Sequence, residues 1–139
     1  MVLHDKYANS PRLAYNGTFS GIDSATVKLA LLDDTYEKDL QSHTTFADVS
    51  DSEIDATDVY EVGGQALTGV GLTTTGPDTF FTADDVVWAE SNITANYAVL
   101  YEESSGSLLT VVDFEGVESS TNGDFKIEWQ DGTIFEVQT

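Results

Sequence analysis

Ile93-Thr94-Ala95-Asn96-Tyr97-Ala98-Val99-Leu100-Tyr101 is the stretch whose reading decides the fold class. Strict alternation puts Ile93, Ala95, Tyr97, Val99 and Tyr101 on one side and Thr94, Asn96, Ala98 and Leu100 on the other, the period of a β-strand. Its β-branched and aromatic residues suit a pleated, half-buried surface. Downstream, a turn at Ser104-Ser105-Gly106 leads to Leu108–Phe114, which is apolar on both sides and reads as a central strand. A second turn at Thr121-Asn122-Gly123 precedes Asp124–Trp129, with Phe125, Ile127 and Trp129 inward and Asp124, Lys126 and Glu128 in solvent. Asp131-Gly132 is a hairpin signal, because glycine takes positive φ readily, and it predicts antiparallel pairing of Ile134–Val137 with the strand before it.

Upstream the same pattern continues in shorter pieces. Val86-Val87-Trp88 reads as a strand, Ala66–Thr73 and Thr79–Thr82 flank a turn at Gly76-Pro77-Asp78, and Thr26–Leu32 places Val27, Leu29 and Leu31 on one face. Residues 33–64 are acidic, rich in Ser and Thr, and too long for a plain loop in a compact domain. Thr44 or Thr45 can cap one helical turn through Phe46, Ala47 and Val49, and Ser50 or Ser52 a second near Glu53, both lying over one end of the sheet. Pro11 and Gly17 argue against a long helix in residues 1–20, which read as an N-terminal arm reaching for a neighbour. The expectation is a single domain over 21–139 of all-β class, an antiparallel β-sandwich or jelly-roll-like barrel with one or two short helical turns.

Charge sets the environment. The chain has 25 Asp and Glu against 5 Lys and Arg, a formal net charge of −20, and the acids run from Asp5 to Glu136 without gathering into a tail. Self-repulsion of that size opposes compaction in dilute buffer, whereas at ~1 M salt the Debye length is about 3 Å and most of it is screened. An acidic coat with few lysines fits a surface selected to remain hydrated in brine, the alternatives being an ordinary acidic protein or a DNA mimic. The cations are scattered at Lys6, Arg12, Lys28, Lys38 and Lys126, so there is no basic stripe to displace phosphate counterions and direct nucleic-acid binding is disfavoured. The absence of cysteine excludes disulfides and thiolate metal sites. No apolar run is long enough for a membrane helix, and Met1-Val2-Leu3-His4-Asp5 lacks the regions of a signal peptide, so a soluble start in the cytosol of whatever cell makes the chain is expected.

Motifs that carry chemistry are sparse. His4 and His43 lack a nucleophile elbow, and His43, in Ser42-His43-Thr44-Thr45-Phe46, reads as a capping or packing residue. Asp33-Asp34 and Asp84-Asp85 are adjacent pairs of the kind that so many acids produce by chance. No twelve-residue calcium loop occurs, so structural Mg, Ca, Na or K ions would need ligands from separate loops. Asn16-Gly17-Thr18 and Asn92-Ile93-Thr94 are glycosylation sequons. Trp88, Trp129, Tyr97 and Tyr101 could stack on sugars if exposed, although Trp129 and Tyr97 fall on inward faces. No phosphate loop is present, Gly63-Gly64 reads as a turn, and neither a catalytic set nor a cofactor is expected.

The order of these signals carries a resemblance. Val27–Leu32, Tyr36, His43–Val49 with Glu53-Ile54, and Gly63–Thr68 form the first half; Thr82–Trp88, Ile93–Tyr101, Leu108–Phe114 and Thr121–Ile134 form the second. This succession resembles a family of small structural proteins of tailed double-stranded DNA viruses, encoded among head genes, and covers roughly residues 22–137. The chain departs from that pattern over residues 1–20, where many members have a short helical segment, and in its excess of acid.

With the salt reading, the resemblance implies a virion protein of a tailed virus infecting a haloarchaeon. It would be a minor capsid or decoration protein, and not an enzyme, that binds the major capsid protein and copies of itself as a trimer or pentamer. The arm and residues 33–64 would be its contacts. A neck or tail ring is the alternative within the virion, and a glycan-binding adsorption module using Tyr36 or Trp88 the alternative outside structural roles.

Thermal unfolding followed by circular dichroism checks the salt reading. The midpoint should climb steeply from dilute buffer to ~1 M KCl, where repulsion is screened; a chain equally stable in both would refute it.

Overall fold

A computed structural model of the chain describes residues 3–6, 26–57, 59–75, 78–129 and 133–137. Within them lie β1 (Leu3–Lys6), β2 (Val27–Leu32), β3 (Gln65–Ala66), β4 (Gly71–Thr75), β5 (Asp78–Thr82), β6 (Val86–Ser91), β7 (Thr94–Glu102), β8 (Leu108–Ser119), β9 (Gly123–Ile127) and β10 (Thr133–Val137). Two 3-10 turns, Phe46–Asp48 and Ser50–Ser52, are the only helical pieces among the described residues. All pairings are antiparallel, in sheets ordered β1-β8-β7-β2-β3, β10-β5-β4 and β6-β9. The chain is all-β, and among the described residues no sheet closes into a barrel.

The five-stranded sheet is covered on both faces. On its inner face Val27, Leu29, Leu31, Ala98, Leu100, Leu109 and Val112 pack with Phe81 of β5, Val86 and Trp88 of β6, and Phe125 and Ile127 of β9, so the two smaller sheets form the second layer of a sandwich. On its outer face Ala30, Leu32, Val99, Tyr101, Leu108 and Val111 are covered by Tyr36, Leu40, Phe46 and Val49 from the segment that follows β2. The two 3-10 turns therefore lie over the sheet's broad outer face, not over one end. Two-sided burial explains the apolar run of β8, which sits inside the sheet between β1 and β7.

Bulges reassign several faces. Ala95 pairs with Glu118 and Tyr97 with Asp113, so Asn96 on β7 faces Phe114–Val117 on β8 without regular pairing. Glu115 and Gly116 take φ of 59° and 140° there, and the Glu115 amide donates to Asp113 Oδ1 at 2.8 Å. This wide bulge reverses the alternation: Ile93 and Ala95 face the inner core, whereas Tyr97, Val99 and Tyr101 face the outer one. A second bulge leaves Leu109 between the pairs Leu100–Thr110 and Tyr101–Leu108.

Two pairings also differ from expectation. The strand expected over Ala66–Thr73 divides at Leu67–Val70, with Gly69 at φ +62°, into β3 of one layer and β4 of the other. The last strand pairs with β5 and not with β9. At the end of β9 the Trp129 amide donates to Asp85 Oδ1 and its indole N–H to the Asp84 carbonyl, both at 3.1 Å, fixing the chain beside the exit of β5. The Gly76-Pro77 turn and the Gln130–Gly132 turn lie outside the described residues. Of the expected arm, Leu3–Lys6 pairs with Thr110–Asp113 at the edge of the large sheet, and residues 7–25 lie outside the described set.

The outer edge of β2 is closed piece by piece. The Leu67 amide donates to the Val27 carbonyl, and Lys28 and Leu29 pair with Ala66 and Gln65. Further along, the Ile54 amide donates to the Leu31 carbonyl and the Asp33 amide to the Ser52 carbonyl. The Leu31 amide between them donates instead to the Tyr60 hydroxyl at 3.0 Å, and that hydroxyl donates to Glu53 Oε2 at 2.6 Å. The same Glu53 oxygen accepts the Gly63 amide at 2.7 Å, while the Tyr101 hydroxyl donates to the Gly63 carbonyl at 2.5 Å. Gly64, at φ +86°, crosses so close to β2 that a Cβ would sit 1.9 Å from the Leu29 carbonyl oxygen.

Gly64→Ala should therefore lose about 4 kcal/mol or more of stability, the range reached when backbone must move. Tyr60→Phe should lose about 1–3 kcal/mol by stranding a buried amide and a carboxylate. Chemical denaturation in high salt measures both, and a near-neutral Tyr60→Phe would show that water replaces the hydroxyl.

Candidate functional site

The segment from Asp33 to Gly64 is, with the N-terminal arm, a contact region expected from the sequence, and its acids fold it. Asp33 Oδ1 accepts the Thr35 amide at 2.9 Å and the Thr35 hydroxyl at 2.5 Å. Asp39 Oδ1 accepts the amides of Ser42 at 2.9 Å and Gln41 at 3.2 Å, and Asp48 Oδ2 those of Thr44 at 2.9 Å and Thr45 at 3.1 Å, closing the first 3-10 turn. Short acidic side chains suit this work because they reach backbone donors two to four residues away. Phe46 then stacks on Tyr101 with ring centroids 4.2 Å apart, and Tyr36 meets Tyr97 edge-on at 4.8 Å. Lys38 Nζ, 3.5 Å from Asp113 Oδ2, ties the segment to β8.

These hydrogen bonds shift protonation. The Ser42 amide holds the Asp39 carboxyl below its ordinary value, and the Thr44 amide, followed by that of Thr45, does so for Asp48. Glu102 behaves alike at the turn between β7 and β8: burial opposes its charge, but the Ser104 hydroxyl and amide outweigh burial and lower it. In the opposite sense, burial first and the Glu53 charge second push the Tyr101 hydroxyl up to about 12. Burial, reinforced by the bond to Glu53, raises Tyr60 further.

The residues singled out from the sequence do not converge. His43 rests against Tyr36, ring centroids 5.9 Å apart, and its amide donates to the Asp39 carbonyl. Asp84 Oδ2 accepts the Thr68 hydroxyl at 3.3 Å; Asp85 holds the Trp129 amide and lies 3.9 Å from Lys126 Nζ, so this adjacent pair serves two different contacts. Asn92 Oδ1 accepts the Asn122 amide at 3.1 Å, bracing the turn before β9. The side chain of His4, and Asn16 altogether, lie outside the described residues.

Of the aromatics considered for stacking on a sugar, Tyr36, Trp88, Trp129 and Tyr101 are buried, which leaves Tyr36 and Trp88 poorly placed to serve a glycan-binding module, and Tyr97 is half-buried. Among the described residues the exposed large hydrophobics are Val59, Val62, Val87 and Val117. No group of three or more His, Asp or Glu among them is placed to hold a metal ion.

Shallow clefts lie among the described residues. One of about 320 Å³ lies between Phe114, Glu118 and Ser119 of β8 and Asp124–Ile127 of β9. Others of about 290 Å³ and 180 Å³ lie at Thr26 with Glu102–Ser104 and at Thr57, Val59 and Glu90–Asn92. Lys126 in the first is engaged by Glu128 at 3.4 Å, and in the cleft at Thr26 the Ser104 hydroxyl donates to Glu102 Oε1 at 2.6 Å, a contact that closes the turn between β7 and β8. The sequence reading missed the Glu53, Tyr60, Gly63 and Tyr101 network, whose visible trace is Gly63-Gly64 following an isolated aromatic in an acidic stretch. No protein-family model, curated protein or solved structure matches the chain.

A carboxyl lowered on folding adds stability above its unfolded value, 3.8 for Asp, and that contribution is lost as pH falls through the folded value. Asp48→Ala should therefore be less stable than the parent chain at neutral pH in high salt, and the gap should close on acidification below 3.8. Unfolding midpoints measured across pH check it; a gap of constant size would show that the charge of Asp48 is immaterial.

Proposed function

We propose that the chain is a structural part of a virus particle, a minor capsid or decoration protein that binds the major capsid protein and steadies the shell in concentrated salt. The observation that carries this reading is the ordered succession of strand and turn motifs over residues 22–137, which resembles small virion proteins encoded among head genes. The distribution of surface is compatible with it. Both faces of the large sheet are covered from within the chain, so the parts offered to a partner are a charged coat, the folded segment after β2, and the margins of the sheets.

Such a protein acts by burying surface across subunit boundaries, which lowers the free energy of the assembled shell relative to its parts. Its acidic coat keeps it hydrated and dispersed in brine before assembly. The capped turns of residues 33–52 present backbone and short polar side chains in a fixed arrangement, so docking through them orders few additional groups.

Quantitative mass spectrometry of purified particles of the encoding virus tests the proposal. The chain should be present in numbers commensurate with the major capsid protein. A count fitting a single ring would reassign it to the neck or tail, and absence from the particle would end the reading.

A further inference from the structure

From Val62 to Pro77 the chain runs sixteen residues without an Asp, Glu, Lys or Arg, its longest uncharged run, in a molecule where such residues make up 22%. Two strands arise from it. β3 is the margin of the five-stranded sheet and β4 the margin of the three-stranded one. Every other described strand carries at least one charged residue; Gln65-Ala66 and Gly71-Leu72-Thr73-Thr74-Thr75 carry none. Only Leu67–Val70 separates the two, and four residues span at most about 14 Å, so β3 and β4 lie along one side of the sandwich.

This side is where an edge should be defended. An open strand offers unpaired N–H and C=O groups, and proteins ordinarily blunt such strands with charge or proline. Here the remaining chain is densely acidic while β4, a margin among the described strands, is neutral. Among the described residues no strand pairs with the outer edge of β4. A cationic partner would find better ground almost anywhere else on the surface. A neutral edge suits a body that shares the same acidic coat, because charges pressed into the contact itself are not relieved by salt in the surrounding water.

We infer that β4 pairs antiparallel with β4 of a second copy about a two-fold axis centred on Thr73, giving a continuous sheet of order β10-β5-β4-β4-β5-β10. Isologous pairing of this kind uses the same strip on both partners and satisfies both edges at once. It builds a two-fold pair in place of the trimer or pentamer that the resemblance implied. The inference deepens the proposed function by naming the surface on which copies meet, and its test is separate. Absence from the particle would sink the virion reading alone, and a monomer in solution would sink the pairing alone.

Sedimentation equilibrium at ~1 M KCl, where the coat is screened, should give about twice the 15.0 kDa chain mass. Thr73→Glu with Thr74→Glu should weaken the dimer by about tenfold or more, and Thr73→Lys with Thr74→Lys likewise, since like charges would face each other across the new ladder. Mixing the two variants should restore a dimer of one of each, which a general loss of folding cannot imitate. Amide exchange of Gly71–Thr75 in the unaltered chain should slow as concentration rises, so the result does not depend on the variants folding. A monomer at all concentrations, a Glu variant that dimerises like the parent, variants that do not re-pair on mixing, or exchange at β4 independent of concentration would each overturn the pairing.

Discussion

The amide of Leu31 has no backbone partner at the edge of β2, and the way it is satisfied organises the middle of the chain. Residues 52–54 and 65–67 close the edge on either side of it, and the excursion between them returns through Tyr60. A buried amide left unpaired would cost about 1–3 kcal/mol, so the hydroxyl is a structural requirement. Glu53 orients that hydroxyl and also accepts the Gly63 amide, while Tyr101 from the neighbouring strand grips the Gly63 carbonyl. Three polar side chains thereby register the 53–64 excursion against two strands. Tyr60 also packs beside Trp88 with ring centroids 5.7 Å apart, so the same residue that closes the edge reaches the second layer.

Acid in this protein has two uses. Much of it is coat, far in excess of the five cations, and its self-repulsion is the kind that dissolved salt screens. A smaller set holds the backbone: Asp33, Asp39 and Asp48 after β2, Glu102 and Asp113 at bends of the large sheet, and Asp85 at the end of β9. The segment expected to be a contact surface is thus ordered by its own carboxylates and by Tyr36, Phe46 and Val49 beneath them.

Much of the fold was legible because period-2 patterning survives wherever one sheet face is buried. Val27, Leu29 and Leu31 share a face, and Phe125, Ile127 and Trp129 point inward, as their spacing requires. Alternation failed at Asn96 because a bulge is an extra residue that carries no compositional mark, and Tyr97, Val99 and Tyr101 consequently cover the opposite core. Pairing of β10 with β5 is a long-range choice that an Asp-Gly turn does not encode. The aromatics illustrate the limit for sites: Trp88 and Tyr36 lie in or beside loops in sequence, yet large rings in a small domain are needed for its core. Tyr60 passed unnoticed because its role depends on a strand twenty-nine residues away.

The division of labour among the acids limits how far the chain's negative charge could be lowered. Wholesale replacement of Asp and Glu would remove the hinges and latches together with the coat. Tolerable replacements are confined to side chains such as Asp34, Asp51, Asp55 and Glu61, which are exposed. Lowering the charge of this molecule is therefore a matter of choosing which negative charges are upholstery and which are joinery, and only the first kind can be stripped while the frame stands.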